Sequence, residues 1–113
     1  MPAEQLNATG DVRRIANVEI RPREQQVLVD GKRAGLTVRE LEIFLVLADR
    51  FDRVVPRPEI YRLVWGGKMP HRDRSVDVFV RKVRFKLSLC APGWTFIHTH
   101  FGIGYRFTPE RVG

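Results

Sequence analysis

Arg74-Ser75-Val76-Asp77-Val78-Phe79-Val80-Arg81-Lys82-Val83-Arg84-Phe85-Lys86-Leu87-Ser88-Leu89 is the stretch that decides how this chain is read. Turned at about 100° per residue, Val76, Val80, Val83 and Leu87 fall into one narrow stripe, which predicts a helix over residues 74–89 with that stripe in the core. The opposite face carries Arg74, Arg81 and Lys82 together with Val78 and Phe85. A merely solvated face has no use for the last two. Ser75, at the start of the helix, is expected to cap it. Pro92-Gly93 ends it.

Such a mixed surface suits the major groove of double-stranded DNA. Arginine and lysine contact phosphates or the O6/N7 edge of guanine, and small apolar side chains meet thymine methyl groups. Phe85 is large for the groove floor and is expected against sugar or backbone. The alternative is a charged, solvent-facing helix with two incidental apolar residues.

Upstream, residues 68–73 have the composition of a loop, preceded by Gly66-Gly67. Ile60, Leu63, Val64 and Trp65 give a second helix its apolar side, with Pro58 in its first turn, where a missing N–H costs nothing. Val54-Val55-Pro56 reads as a break between helices. The first helix starts at Thr37, whose hydroxyl and Glu40 have the spacing of a capping box, with Leu36 and Leu41 placed as a hydrophobic staple. Leu41, Phe44, Leu45 and Ala48 line its core face. Before it, residues 15–36 read as a small antiparallel meander, in which Val18 and Ile20 alternate with Glu19 and Arg21. Asp30-Gly31 is the tight turn of a hairpin. Downstream of the basic helix, residues 94–107 alternate as two strands joined at Gly102-Ile103-Gly104.

A chain of 113 residues has room for one domain. Residues 1–13 are polar and expected to form a flexible leader, 14–108 the domain, and 109–113 a tail. The net charge of +7 points to a polyanionic partner, and residues 68–90 hold most of it: Lys68, Arg72, Arg74, Arg81, Lys82, Arg84 and Lys86 against Asp73 and Asp77. Cys90 is the only cysteine, which excludes an internal disulfide and fits a reducing cytosol. Neither a secretory signal nor an apolar run of bilayer length is present in the sequence, so a cytoplasmic protein without membrane attachment is expected.

Leu36-Thr37-x-x-Glu40, Val54-Val55, Val64-Trp65-Gly66, Arg74-Ser75-Val76-Asp77-Val78, Lys86-Leu87 and Gly102-x-Gly104-Tyr105-x-Phe107 occur in this order. Together, over about residues 15–108, they resemble the DNA-binding effector domain of OmpR/PhoB-type response regulators, the output half of two-component systems. The resemblance implies an α+β winged helix-turn-helix with an N-terminal antiparallel sheet, three helices and a C-terminal hairpin wing. It also implies a bacterial transcriptional regulator that binds direct-repeat promoter sites as a tandem homodimer.

Carried over by the resemblance, Arg74 contacts phosphate at the start of the recognition helix, with Ser75 beside it. Val78, Arg81, Lys82 and Arg84 face the groove or backbone, Thr99 is a wing contact to the sugar-phosphate backbone, and the loop 66–73 approaches RNA polymerase. The wing, residues 95–107, departs from the pattern. His100-Phe101-Gly102 stands where many members have an arginine that enters the minor groove. Phe101 is expected to cover sugar edges or pack on the sheet, and His100 to contact phosphate. Phe79 replaces a common histidine, and Phe85 a frequent basic residue. No phosphoacceptor domain fits ahead of Ile15, so the chain is expected to be a stand-alone regulator or a piece of a longer one.

Other chemistry finds little support. His98-x-His100, His71 and Cys90 are the only candidate metal ligands and have no recognised spacing, so no metal or cofactor is expected. Gly102-x-Gly104 runs on into a strand rather than opening a helix, unlike a nucleotide loop. Ser75 and Asp77 lack a histidine at triad spacing, so catalysis is not expected. The competing reading is a winged-helix interaction module docking an acidic partner. RNA is disfavoured for want of an exposed aromatic platform.

Overall fold

Alternation of apolar and polar residues builds the first sheet. The computed structural model describes residues 11–112, and within them four antiparallel strands lie in the order β1 (Arg13–Ile15), β2 (Val18–Arg21), β3 (Gln26–Val29), β4 (Lys32–Arg33). Val18 faces Val29 and Ile20 faces Val27 across the β2–β3 ladder, and all four are buried. Asp30 and Gly31 both have positive φ, 51° and 76°, as a two-residue turn that follows the strand twist requires. Arg13 lies in β1 and its guanidinium meets Asp49 Oδ1 at 2.8 Å, so the strand begins inside the expected leader. Residues 1–10 of that leader lie outside the described residues.

Helix α1 (Val38–Asp49) begins with the capping box: Thr37 Oγ1 accepts from the Glu40 N–H and Glu40 Oε1 accepts from the Thr37 N–H at 2.9 Å. Its inner face, Leu41, Phe44, Leu47 and Ala48, is buried. After it, Val54-Val55-Pro56 does more than interrupt the helices. It forms strand β5 (Val54–Pro56), which pairs with β7 (Gly104–Arg111), itself paired with β6 (Trp94–His100), giving a second antiparallel sheet in the order β5-β7-β6. Three alternating residues give too little periodicity to be read as a strand without the partner. Strand β7 also extends to Arg111, past the expected domain end at 108, because Glu110 and Arg111 lie opposite Thr95 and Trp94.

Helix α2 (Arg57–Val64) follows β5 directly, and α3 (Ser75–Cys90) carries Val76, Val80, Val83 and Leu87 into the core, as the helical spacing predicts. The three helices, the inner face of the first sheet and Phe96, Ile97, Tyr105 and Phe107 of the second form one apolar core. Phe44 and Phe107 meet edge to face at 5.1 Å, joining α1 to the wing sheet.

Gly104 is where the second sheet is tightest. A Cβ there would lie 1.9 Å from the Val55 carbonyl oxygen, a backbone atom that has no rotamer by which to withdraw. Gly104→Ala should therefore force β5 and β7 apart and cost about 3 kcal/mol, the upper part of the overpacking range. Chemical denaturation of the variant checks this; a loss below about 0.5 kcal/mol would mean that the strands separate without resistance.

Candidate nucleic-acid interface

The first turn of α3 is organised by acids in a basic neighbourhood. Asp73 Oδ1 accepts from the Ser75 N–H at 2.7 Å, so the cap comes from Asp73 and not from the expected Ser75 hydroxyl. Arg74 occupies the N-cap position. Its guanidinium lies 3.5 Å from Asp77 Oδ2 but remains largely in water, so that pair contributes little.

Asp77 has stronger partners. Its Oδ1 accepts from Arg57 Nε, at the start of α2, at 2.7 Å and from the Tyr105 hydroxyl on β7. Burial by itself would raise this carboxyl's pKa, but the hydrogen bonds from Tyr105 and Arg57 and the guanidinium charge outweigh it and hold the pKa below its ordinary value. Tyr105 shifts upward, through burial first and the Asp77 bond second. One carboxylate thus ties the basic helix to the helix before it and to the wing.

Farther along α3, Arg84 turns to the wing. Its Nε donates to the Ile97 carbonyl at 3.1 Å, an Nη donates to Thr99 Oγ1, and its guanidinium carbon lies 5.5 Å from the Tyr105 ring centre. Two residues expected on DNA, Arg84 and Thr99, are therefore bonded to each other, and Arg84 is half-buried between helix and strand. Lys86 is also engaged: Nζ meets Glu40 Oε1 at 2.7 Å and donates to the Gly35 carbonyl at 3.0 Å. Glu40 is only 3% exposed. Burial pushes its pKa up, and the bonds from Lys86 and Thr37 bring it below the ordinary value.

The cations that remain outward are Arg74, Arg81 and Lys82, all exposed. Lys82 Nζ lies 4.8 Å from the ring centre of Phe79, which meets Trp65 edge to face at 5.7 Å, and Trp65 stacks on Tyr61. Phe79 thus packs α3 against α2. Val78 is 45% exposed and Phe85 62%, as the helical wheel predicts. Phe85 flanks a groove of about 390 Å³ between α3 and β6, shared with Ser88, Trp94 and Phe96, which sets it to one side of the cationic strip.

At the wing tip His100 is held back, its Nε2 accepting from Arg106 Nε at 3.1 Å, while Phe101 projects into water instead of packing on the sheet. The structure brings the helix residues together on one surface with the wing beside them. Sequence reasoning missed Arg57, Tyr105 and the role of Asp77. The available signal was that Asp77 is the single acid within α3. Among the described residues no cluster of three or more histidine, cysteine or acidic side chains could hold a metal ion, and no helix is long and apolar enough to cross a membrane.

The family model described as "Transcriptional regulatory protein, C terminal" matches residues 31–107. The chain belongs to this family. It is 32% identical over 108 residues to the DNA-binding response regulator MtrA of Mycobacterium tuberculosis, covering 96% of this chain and 44% of that protein. It is 31% identical over 98 residues to the transcriptional regulatory protein SrrA of Staphylococcus aureus, covering 86% and 41%. The chain therefore spans less than half the length of these relatives. Among solved structures, the DNA-binding domain of Klebsiella pneumoniae RstA, in complex with the RstA box, superposes with a TM-score of 0.78 at 26% identity, over 87% of this chain and 97% of that one. The fold is a winged helix-turn-helix.

Because the Asp77 pKa is depressed in the folded state, the stability it supplies is complete above the ordinary carboxylate range and is lost as the pH falls through the folded value. Wild-type protein should lose stability between about pH 5 and pH 3, and Asp77→Asn, which cannot ionise, should lose less over that interval. Urea unfolding at a series of pH values measures both. Parallel curves would show that the Asp77 charge stabilises nothing.

Proposed function

We propose that this chain binds double-stranded DNA sequence-specifically, as the effector module of a bacterial response regulator. In this reading α3 lies in the major groove and the wing, residues 95–107, lies on the adjacent backbone or minor groove. The observation that carries it is the sorting of charge on α3. Arg84 and Lys86 are fastened to the protein, whereas Arg74, Arg81 and Lys82 stand in water on one face with Val78 among them. A surface of cations around a small apolar group matches phosphates around a thymine methyl.

Arg74 then serves as a phosphate contact at the helix start, with Ser75 beside it. Arg81 and Lys82 read guanine edges or flanking phosphates, Val78 meets a methyl group, and Phe85 covers sugar. Thr99 faces the backbone from the wing, with Arg84 holding it in place, while His100 is drawn back by Arg106. A single α3 contacts only one half-site, so two copies about one helical turn apart, as a tandem homodimer, supply the specificity. The loop 66–73, set by positive φ at Gly66, Gly67 and Arg72, is the proposed contact to RNA polymerase. The setting is a cytoplasmic two-component system.

Arg81→Ala and Lys82→Ala should each weaken duplex binding, by about 1–3 kcal/mol at a cognate base or with a salt slope about one unit shallower for a phosphate. Fluorescence anisotropy over a salt series on selected duplexes separates the two roles. Binding that ignores salt, or that survives both substitutions unchanged, would overturn the reading and favour an acidic protein partner.

A further inference from the structure

The turn at the tip of the wing is built as a rigid mount for an apolar group. Residues 101–103 join β6 to β7, whose last paired residues are His100 and Gly104. The Ile103 N–H donates to the His100 carbonyl at 2.9 Å, and Gly102 takes the φ of 77° that so tight a return needs. The Arg57 N–H donates to the Ile103 carbonyl at 3.1 Å, so the tip is anchored to the start of α2, whose Arg57 side chain holds Asp77 on α3. At the summit Phe101 is 90% exposed, with Ile103 also exposed beside it.

The tip offers no cation for a phosphate. Its one titratable group, His100, is drawn back by Arg106, which is itself bonded to Asp52 and Thr108. What the wing presents beside the cationic helix is thus a flat hydrocarbon ring on a stiff hairpin. When a helix occupies the major groove, a hairpin braced against it meets the flanking backbone and the minor groove, about 6 Å wide, whose floor is reached by apolar groups without any charge.

We infer that Phe101 is an apolar wedge that enters the minor groove beside the α3 contact, partly unstacks one base step and so selects deformable sequence there. This rests on the DNA-binding reading proposed above. The steps that open most readily are pyrimidine–purine, TA and CA/TG, and a side chain wedged between them kinks the duplex toward the major groove. The wing then reads deformability, not base edges.

The test is a selection of bound duplexes from a randomised pool by the wild-type chain, Phe101→Ala and Phe101→Leu. Gel mobility of circularly permuted fragments and fluorescence of 2-aminopurine placed at the wing-side step then follow on the selected sites. Wild type should enrich TA or CA/TG on the wing side, bend the fragment and raise the 2-aminopurine signal. Phe101→Ala should abolish all three and lose on the order of tenfold in affinity, while preferences at the α3 positions persist; Phe101→Leu should retain part of each. Thermal unfolding confirms that the variants are folded. Salt-dependent duplex binding in which Phe101→Ala keeps the same step preference and bend would overturn the wedge and leave the DNA reading intact. Absence of duplex binding by wild type would overturn both.

Discussion

The Asp77 carboxylate is the constraint on which the rest of this surface depends. It sits in the first turn of α3, half-buried, and accepts from Arg57 on α2 and Tyr105 on β7. A carboxylate removed from water destabilises the fold unless donors replace its hydration, and here they come from two different elements. Two guanidinium groups lie near the Tyr105 ring, Arg57 at 5.1 Å and Arg84 at 5.5 Å from its centre. Two cations on one ring would repel each other without a nearby negative charge. Asp77 supplies it, and its bonds to Arg57 and Tyr105 tie α3 to α2 and to the wing.

The same logic operates in the second half of α3. Glu40 completes the capping box of α1 and also receives Lys86, so one buried acid caps one helix and positions another. Glu40 takes Lys86, and the Ile97 carbonyl and Thr99 hydroxyl of β6 take Arg84, which divides the basic residues of this stretch into two groups. Those paired with protein groups, Arg84 and Lys86, fix geometry. Those left in water, Arg74, Arg81 and Lys82, are available to a polyanion. The net charge of the stretch overstates what a partner meets, because part of it is neutralised within the fold.

How much of this could be read in the sequence varies with the range of the interaction. The capping box at Thr37 and Glu40, the turn at Asp30-Gly31 and the core stripe of α3 are local, set by residues within one turn of each other, and each is legible in order. Strand β5 is not, because Val54-Val55-Pro56 is strand-like only when Gly104, Tyr105 and Arg106 lie opposite it. The spacing of Gly102-x-Gly104 is visible in the sequence, yet the two glycines answer different constraints: positive φ at the first and close approach of the Val55 carbonyl at the second. Among site residues, the wheel placed Val78, Arg81, Lys82 and Phe85 outward. It could not place Arg84, whose partners Ile97 and Thr99 lie on β6, nor show that Lys86 answers an acid on α1.

The two parts of the surface draw on different physics in the proposed complex. Contacts from Arg74, Arg81 and Lys82 work through charge, and their contribution falls with added salt because the counterions they release from the duplex enter a more concentrated solution. Contact from Phe101 works through apolar burial and stacking, which salt does not screen. The bonds of Asp77, Arg84 and Arg57 hold both parts in one orientation before any partner arrives, so less ordering remains to be done on association. Raising the salt therefore weakens the cationic helix more than the hydrocarbon tip, and the share of the binding affinity residing in the wing rises with ionic strength.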